Sequence, residues 1–362
     1  MAAQQIYVLG SDGNLWLEQG PFSGEQIPPP RVPVDGNVDL DAAFQAFYSN
    51  EVLVCGSDGN LWLEEGPFGT VPLPNSSYPP APRSRYQIDG NAAAFFAWSP
   101  GDIFVLGTDG NLWLEFGFGT TLPTVPPPRT QIDGSVVEFQ PMSLQEVFVL
   151  GQDGNLWHEL GPFGTVPLPP CNGGTAGCRS QVDANVRDFM AVDSEHVYVV
   201  DNNNNLWLEQ GPFGRQIPPS HIPVDGNVAG IWAVDSEEIY VLGTDGNLWL
   251  ENAPFGVVPL PPCSQTSGFG KGFGCRTLIY SNVAAFGVFP DAGGIFVTDG
   301  NLDLWQLGTP NVQIDGNVID FQPLSTEQML ARAESHSKPG ASSTRPVRPT
   351  GIKRPSRPRK RA

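Results

Sequence analysis

Between residues 6 and 324, apolar runs of four to eight residues alternate with tight clusters of Gly, Asp, Asn and Ser, and no stretch keeps a helical period. One unit shows the pattern clearly. The apolar run Val228-Ala-Gly-Ile-Trp-Ala-Val234 reads as a strand, and a short Asp/Ser/Glu turn follows. Ile239-Tyr-Val-Leu242 is a second strand, rich in β-branched and aromatic residues. A Thr-Asp-Gly turn supplies the positive φ of a tight hairpin, and Asn247-Leu-Trp-Leu-Glu251 then alternates with a period of two. A long Gly/Pro-rich loop leads to a short fourth strand ending at Asp-Gly-Asn.

This unit recurs. Its tryptophans are Trp16, Trp62, Trp113, Trp157, Trp207, Trp249 and Trp305, spaced 46, 51, 44, 50, 42 and 56 residues apart. A second landmark, close to Asp-Gly-Asn-Val, falls at Asp35, Asp89, Asp133, Asp183, Asp225 and Asp315, with Tyr280 in the remaining repeat. Seven units of four strands predict an all-β fold, a single closed seven-bladed β-propeller spanning residues 1–330. The chain starts inside a unit, at Ile6–Leu9, and residues 318–324 form a spare first strand. The two pieces complete one blade, so the C-terminal strand is expected to lie innermost in the N-terminal blade and remove the open sheet edge.

Composition adds a charge split. The net charge is −19, but residues 1–330 hold nine Lys/Arg against thirty-seven Asp/Glu, and residues 331–362 hold ten against one. The body should repel nucleic acid and anionic membranes. The segment 331–362, rich in Ser, Pro, Arg and Lys, reads as a disordered basic tail able to contact polyanions or to act as a targeting signal. No apolar run is long enough for a transmembrane helix. The N-terminus shows neither a basic segment nor a cleavage-like site, so no secretory leader is expected. Cys171/Cys178 and Cys263/Cys275 each follow Val-Pro-Leu-Pro-Pro and precede Arg, which points to two loop-closing disulfides and an oxidising environment; reduced thiols are the competing reading. Cys55 stands where other repeats carry Leu and reads as a buried core thiol.

The repeat also carries the candidate binding chemistry. A glutamate follows the tryptophan by two positions in six units: Glu18, Glu64, Glu115, Glu159, Glu209 and Glu251. A basic residue precedes the second landmark by four: Arg31, Arg85, Arg129, Arg179, His221 and Arg276. The seventh unit has Leu307 and Asn311 at these places. The bland reading is an ion pair between adjacent strand ends beneath a tryptophan that packs between blades. The functional reading is a cleft in which Trp16, Trp62, Trp113, Trp157, Trp207 and Trp249 stack on a ligand while the charged pair bonds to it. The Asp-Gly turns read as turn chemistry. No HExxH, GxSxG or phosphate-loop motif is present, and no catalytic residue, metal site or cofactor is expected.

Val-Leu-Gly-Thr-Asp-Gly-Asn-Leu-Trp at residues 105–113, with its copies, resembles the units of tectonin and tachylectin-2-type propellers, which include small fungal and bacterial fucose- or GlcNAc-binding lectins. The resemblance covers residues 6–324 as unit architecture and implies multivalent glycan binding between blades. It does not extend to the Gly-Pro-Phe-Gly segments, the Pro-rich loops or the cysteine pairs. A protein-interaction scaffold using the varied long loops is the second reading. A lyase or hydrolase with a site at the channel mouth is the third.

Overall fold

The computed structural model describes residues 5–22, 26–40, 44–76, 82–99, 101–116, 129–171, 177–213, 220–263, 274–292 and 294–324. The expected tail and the outer parts of several long loops lie outside them. The described residues form seven antiparallel sheets of four strands each, one per predicted blade, with one short 3-10 turn at Pro290–Ala292. We number the blades by their repeat tryptophans in chain order. Closure occurs as expected. Val318–Pro323 pairs antiparallel with Gln5–Gly10, aligning Ile6 with Pro323 and Val8 with Phe321, and the first sheet continues through Leu15–Gln19 to Arg31–Asp35. The Leu324 amide adds a bond to the Gln5 carbonyl at 3.0 Å.

Two compact units are distinguishable, one holding the chain up to Thr130 and again from Phe286, the other Gln131–Ala285. In the first unit, Tyr7, Leu9, Leu15 and Val34 of blade one pack with Phe44, Val52 and Val54 of blade two. In the second, Tyr198, Val200 and Leu206 of blade five pack with Val228, Ile231 and Val241 of blade six. The four consecutive buried residues of five second strands, such as Ile6–Leu9 and Val197–Val200, follow from this packing: a blade with neighbours on both faces is apolar on both.

Local chemistry fixes the turns. Asp12 accepts from the Asn14 amide at 3.1 Å and from the Asn14 side chain at 2.7 Å, and Asp58, Asp109, Asp153 and Asp245 repeat the arrangement. These are Asx-type turns that satisfy the backbone locally. A Cβ on the preceding Gly10 would stand 2.6 Å from Asp12 Oδ1, which explains the glycine. After each fourth strand, a residue at positive φ, Asn37 at 61° and Asn227 at 57° among them, leads into the next blade.

The long loops run back along the preceding blade. Phe68 of blade two meets Tyr7 of blade one edge-on at 6.3 Å, Phe213 of blade five meets Phe148 of blade four at 6.1 Å, and Phe255 of blade six meets Tyr198 of blade five at 6.1 Å. The phenylalanine of each Gly-Pro-Phe or Ala-Pro-Phe segment named is thus a plug into its neighbour. Gly164 and Gly256 then donate to the outer-strand carbonyls of Gln131 and Pro223 at 3.0 and 2.9 Å. Farther on, Leu73, Leu168 and Leu260 are buried and anchor the loop. Cys171–Cys178 and Cys263–Cys275 are disulfides with Cα atoms 4.9 Å apart, and Cys55 is a buried free thiol. Loops this short give about 2–3 kcal/mol each on the chain-entropy model.

Deleting the residues after 316 strips the innermost strand from blade one and removes Phe321 from the cluster of Ile6, Val8, Phe289 and Phe296. The expected outcome is loss of the cooperative melting transition with aggregation through the bared edge of Gln5–Gly10. A truncated protein melting cooperatively at the full-length midpoint would contradict closure.

Candidate functional site

The repeat glutamate is the next-to-last residue of the third strand, and the repeat basic residue is the first or second of the fourth. Their registers align Glu18 with Arg31, Glu64 with Arg85, Glu159 with Arg179, Glu209 with His221 and Glu251 with Arg276. The expected pairing therefore exists, but its geometry is that of a larger cluster. The Arg31 guanidinium lies 4.0 Å from Glu18 and 3.5 Å from Asp315 of the preceding blade. Arg129 lies 3.8 Å from Glu115 and 3.6 Å from Asp89, and Arg179 lies 4.0 Å from Glu159 and 3.6 Å from Asp133. Arg276 lies 3.9 Å from Asp225. Each of these clusters thus joins a carboxyl pair from two blades to one guanidinium.

The guanidinium also covers the tryptophan. Arg31, Arg85, Arg129, Arg179 and Arg276 sit over Trp16, Trp62, Trp113, Trp157 and Trp249 at 4.1–4.3 Å from the ring centroid. In blade five the His221 ring stacks on Trp207 at 3.8 Å. A cation over indole contributes about 0.5–2 kcal/mol, more when desolvated. Trp62 is buried, and the other five of these indoles are half-buried.

All six glutamates have no exposed surface. Burial is the largest reason their carboxyls titrate high, at about 9 for Glu18, Glu64, Glu115, Glu209 and Glu251 and about 8 for Glu159; the facing aspartate is the second. Each glutamate is therefore a neutral acid at pH 7, and burial also raises Asp35, Asp133, Asp183 and Asp225. The aspartates keep one fixed partner, the following backbone amide, at 2.7 Å for Asp35 and 2.8 Å for Asp89 and Asp315. In the Arg-bearing clusters the glutamate oxygens make no hydrogen bond of ordinary length. An aspartate carboxylate, a protonated glutamate and a guanidinium together make a nearly neutral buried group.

The sequence already pointed to tryptophan, glutamate and arginine, but not to the aspartate as the third member. Asp35 and its equivalents looked like turn residues, and they serve both purposes. The signal was available, because the repeat that lacks the glutamate and the arginine is followed back along the chain by Tyr280 in the aspartate position. Among the described residues, one group of titratable side chains has metal-binding spacing: Asp183, Glu209 and His221.

No family model matches the chain, and no curated protein matches it. Solved structures of similar fold include the WD40 β-propeller domain of Doa1, at 11% identity over 91% of this chain and 92% of that one, with a TM-score of 0.48. Prp20p from Saccharomyces cerevisiae matches at 13% identity over 93% and 95%, with a TM-score of 0.44. Human WBSCR16 matches at 10% identity over 83% and 87%, with a TM-score of 0.43. The likeness is one of fold alone. No helix among the described residues is long and apolar enough to cross a membrane.

The raised glutamates fix the sign of the pH dependence. A carboxyl that titrates at 4.5 in the unfolded chain and about 9 in the fold takes up a proton on folding anywhere between. Its contribution to stability is full below about 4.5 and is lost as pH rises toward 9. Asp109, lowered chiefly by its bond from the Asn111 amide, and Glu146, lowered chiefly by its bond to His158, act oppositely in acid. Urea midpoints are expected to be highest near pH 5 and to fall through pH 8. Glu18→Gln should flatten that fall by up to one proton. A midpoint rising steadily across this interval would contradict the protonated state.

Proposed function

We propose that the chain is a non-catalytic binding propeller whose partner is a protein, engaged by the returning long loops. One observation carries this reading. Eight large apolar residues are exposed among the described residues, and five lie in this loop: Ile27, Val71, Val166, Val257 and Val258. Four of them directly precede a proline at the same place in the repeat: Ile27, Val71, Val166 and Val258. Single exposed aliphatics are ordinary, but the same one left out in repeat after repeat is not.

The adjoining Leu73, Leu168 and Leu260 turn inward, so the loop is anchored and its aliphatic tip is held outward. Anchoring lowers the ordering cost of association. The tips stand beside acidic turns. A Cβ on Gly36, next to Asp35, would lie 3.3 Å from Val71 Cγ1, and one on Gly226, next to Asp225, would lie 3.9 Å from Val258 Cγ1. With a described body this acidic, the fitting partner surface is apolar with a basic surround. The combined Val71→Asp, Val166→Asp and Val258→Asp variant should keep its melting temperature. In cross-linking from its native cells it should lose recovery of that partner about tenfold or more, as expected when several exposed valines are withdrawn from the contact. Unchanged recovery would remove the reading.

Glycan binding stands as a second reading, favoured by half-buried indoles in equivalent places. The fully buried glutamates leave the indole edge and the guanidinium as the groups a sugar would meet. On this reading a glycan array gives multivalent binding at no more than six sites, Arg31→Ala and Arg129→Ala weaken it stepwise, and Glu18→Gln leaves it unaltered. An array with no signal leaves the protein reading alone.

A further inference from the structure

The seam between blades four and five differs from the other carboxyl seams in one residue. Five repeats place arginine over the carboxyl pair, and the fifth blade places His221 there. Arginine is charged at every accessible pH and balances the pair. This seam therefore holds two carboxyls and an imidazole, and it lacks the permanent cation of its counterparts.

The three side chains converge. One donor atom from each of Asp183, Glu209 and His221 lies within 4.8 Å of the others, and His221 Nδ1 is in direct contact with Glu209 Oε1. Ligands around a tetrahedral ion at about 2.0–2.2 Å are separated by roughly 3.3–3.6 Å, so the His221–Glu209 contact must open to admit an ion while the wider separations close. Glu209 has no exposed surface, and its Oε2 has no hydrogen-bond partner. His221 is held by its stack on Trp207, while 29% of its side chain remains exposed. That leaves a route for an ion and for a water as fourth ligand.

We propose that Asp183, Glu209 and His221 form a binding site for one divalent transition-metal ion, the ion taking the place that a guanidinium fills in the other clusters. One nitrogen and two carboxylate oxygens suit zinc and its neighbours better than calcium or magnesium, which favour all-oxygen shells. Binding staples the outer strand end of blade four to blade five. The site would be structural, since it joins strands and has one partly open side.

The test uses the full chain with its disulfides intact, stripped with chelator and titrated with zinc chloride by calorimetry and against a chromophoric chelator. The expected result is one site in the natural protein, with a raised melting temperature on binding. His221→Arg, which installs the residue of the other five seams, should keep the fold and weaken zinc binding at least tenfold. Arg179→His should create a second site with Asp133 and Glu159, giving two ions per chain. If His221→Arg fails to fold, Asp183→Asn serves the same purpose, because it removes a ligand and preserves shape. Natural protein that binds no zinc, a His221→Arg or Asp183→Asn protein that binds it undiminished, or an Arg179→His protein that gains no ion would each overturn the proposal.

Discussion

A four-stranded twisted sheet has two faces and cannot cover either by itself. Everything distinctive in this chain answers that constraint. The second strands are apolar on both sides, as at Ile6–Leu9, because each blade is a filling between neighbours. Three separate devices hold the seams. Aromatic plugs such as Phe213 reach onto the preceding blade, loop amides such as that of Gly256 bond to its outer strand, and a carboxyl–carboxyl–guanidinium cluster closes the outer end. Each device is built from residues of two consecutive repeats, so a single repeat would have none of them complete. The strand Val318–Pro323 gives the first blade what every other blade receives from its own repeat.

The polar cluster is the least obvious of these devices. Burying two carboxyls side by side would be prohibitive if both were ionised. The chain resolves this by keeping the proton on the glutamate, which has no exposed surface, and the charge on the aspartate, which has a backbone amide to stabilise it. The guanidinium then neutralises the aspartate while its flat face rests on indole. Raised carboxyl titration often marks catalysis. Here it recurs in six repeats, in each case beneath the repeat's own basic side chain, so its first meaning is structural.

The sequence was legible where repetition made it so. Seven units, four strands each, the closing strand and the two disulfides could be read from spacing, because a period of this kind has few architectural solutions. The register of Glu with Arg followed from their places at adjoining strand ends. The part that stayed hidden lies between repeats. Asp35 is near Asn37 in sequence and looks like a turn residue, whereas its second role depends on Glu64 in the next blade. The Gly-Pro-Phe segment had no visible purpose because its partner, Tyr7 for Phe68, belongs to another unit. Burial was hidden too. Nothing in Leu-Trp-Leu-Glu says that the glutamate is more deeply enclosed than the tryptophan.

The one repeat that departs from the scheme explains why its parts travel together. Removing only the arginine would strand an aspartate charge in a buried place, at a cost of about 3–5 kcal/mol. Removing only the aspartate would leave a guanidinium over a neutral acid. Removing all three for groups that need no counter-ion is far cheaper, since apolar or neutral replacements of a buried ion cluster are often neutral or stabilising. The chain carries Tyr280, Leu307 and Asn311 at the three equivalent positions, so all three charged groups are replaced together. The cluster therefore behaves as one unit shared by two consecutive repeats. His221 is the intermediate case in which the permanent cation has gone and both carboxyls remain.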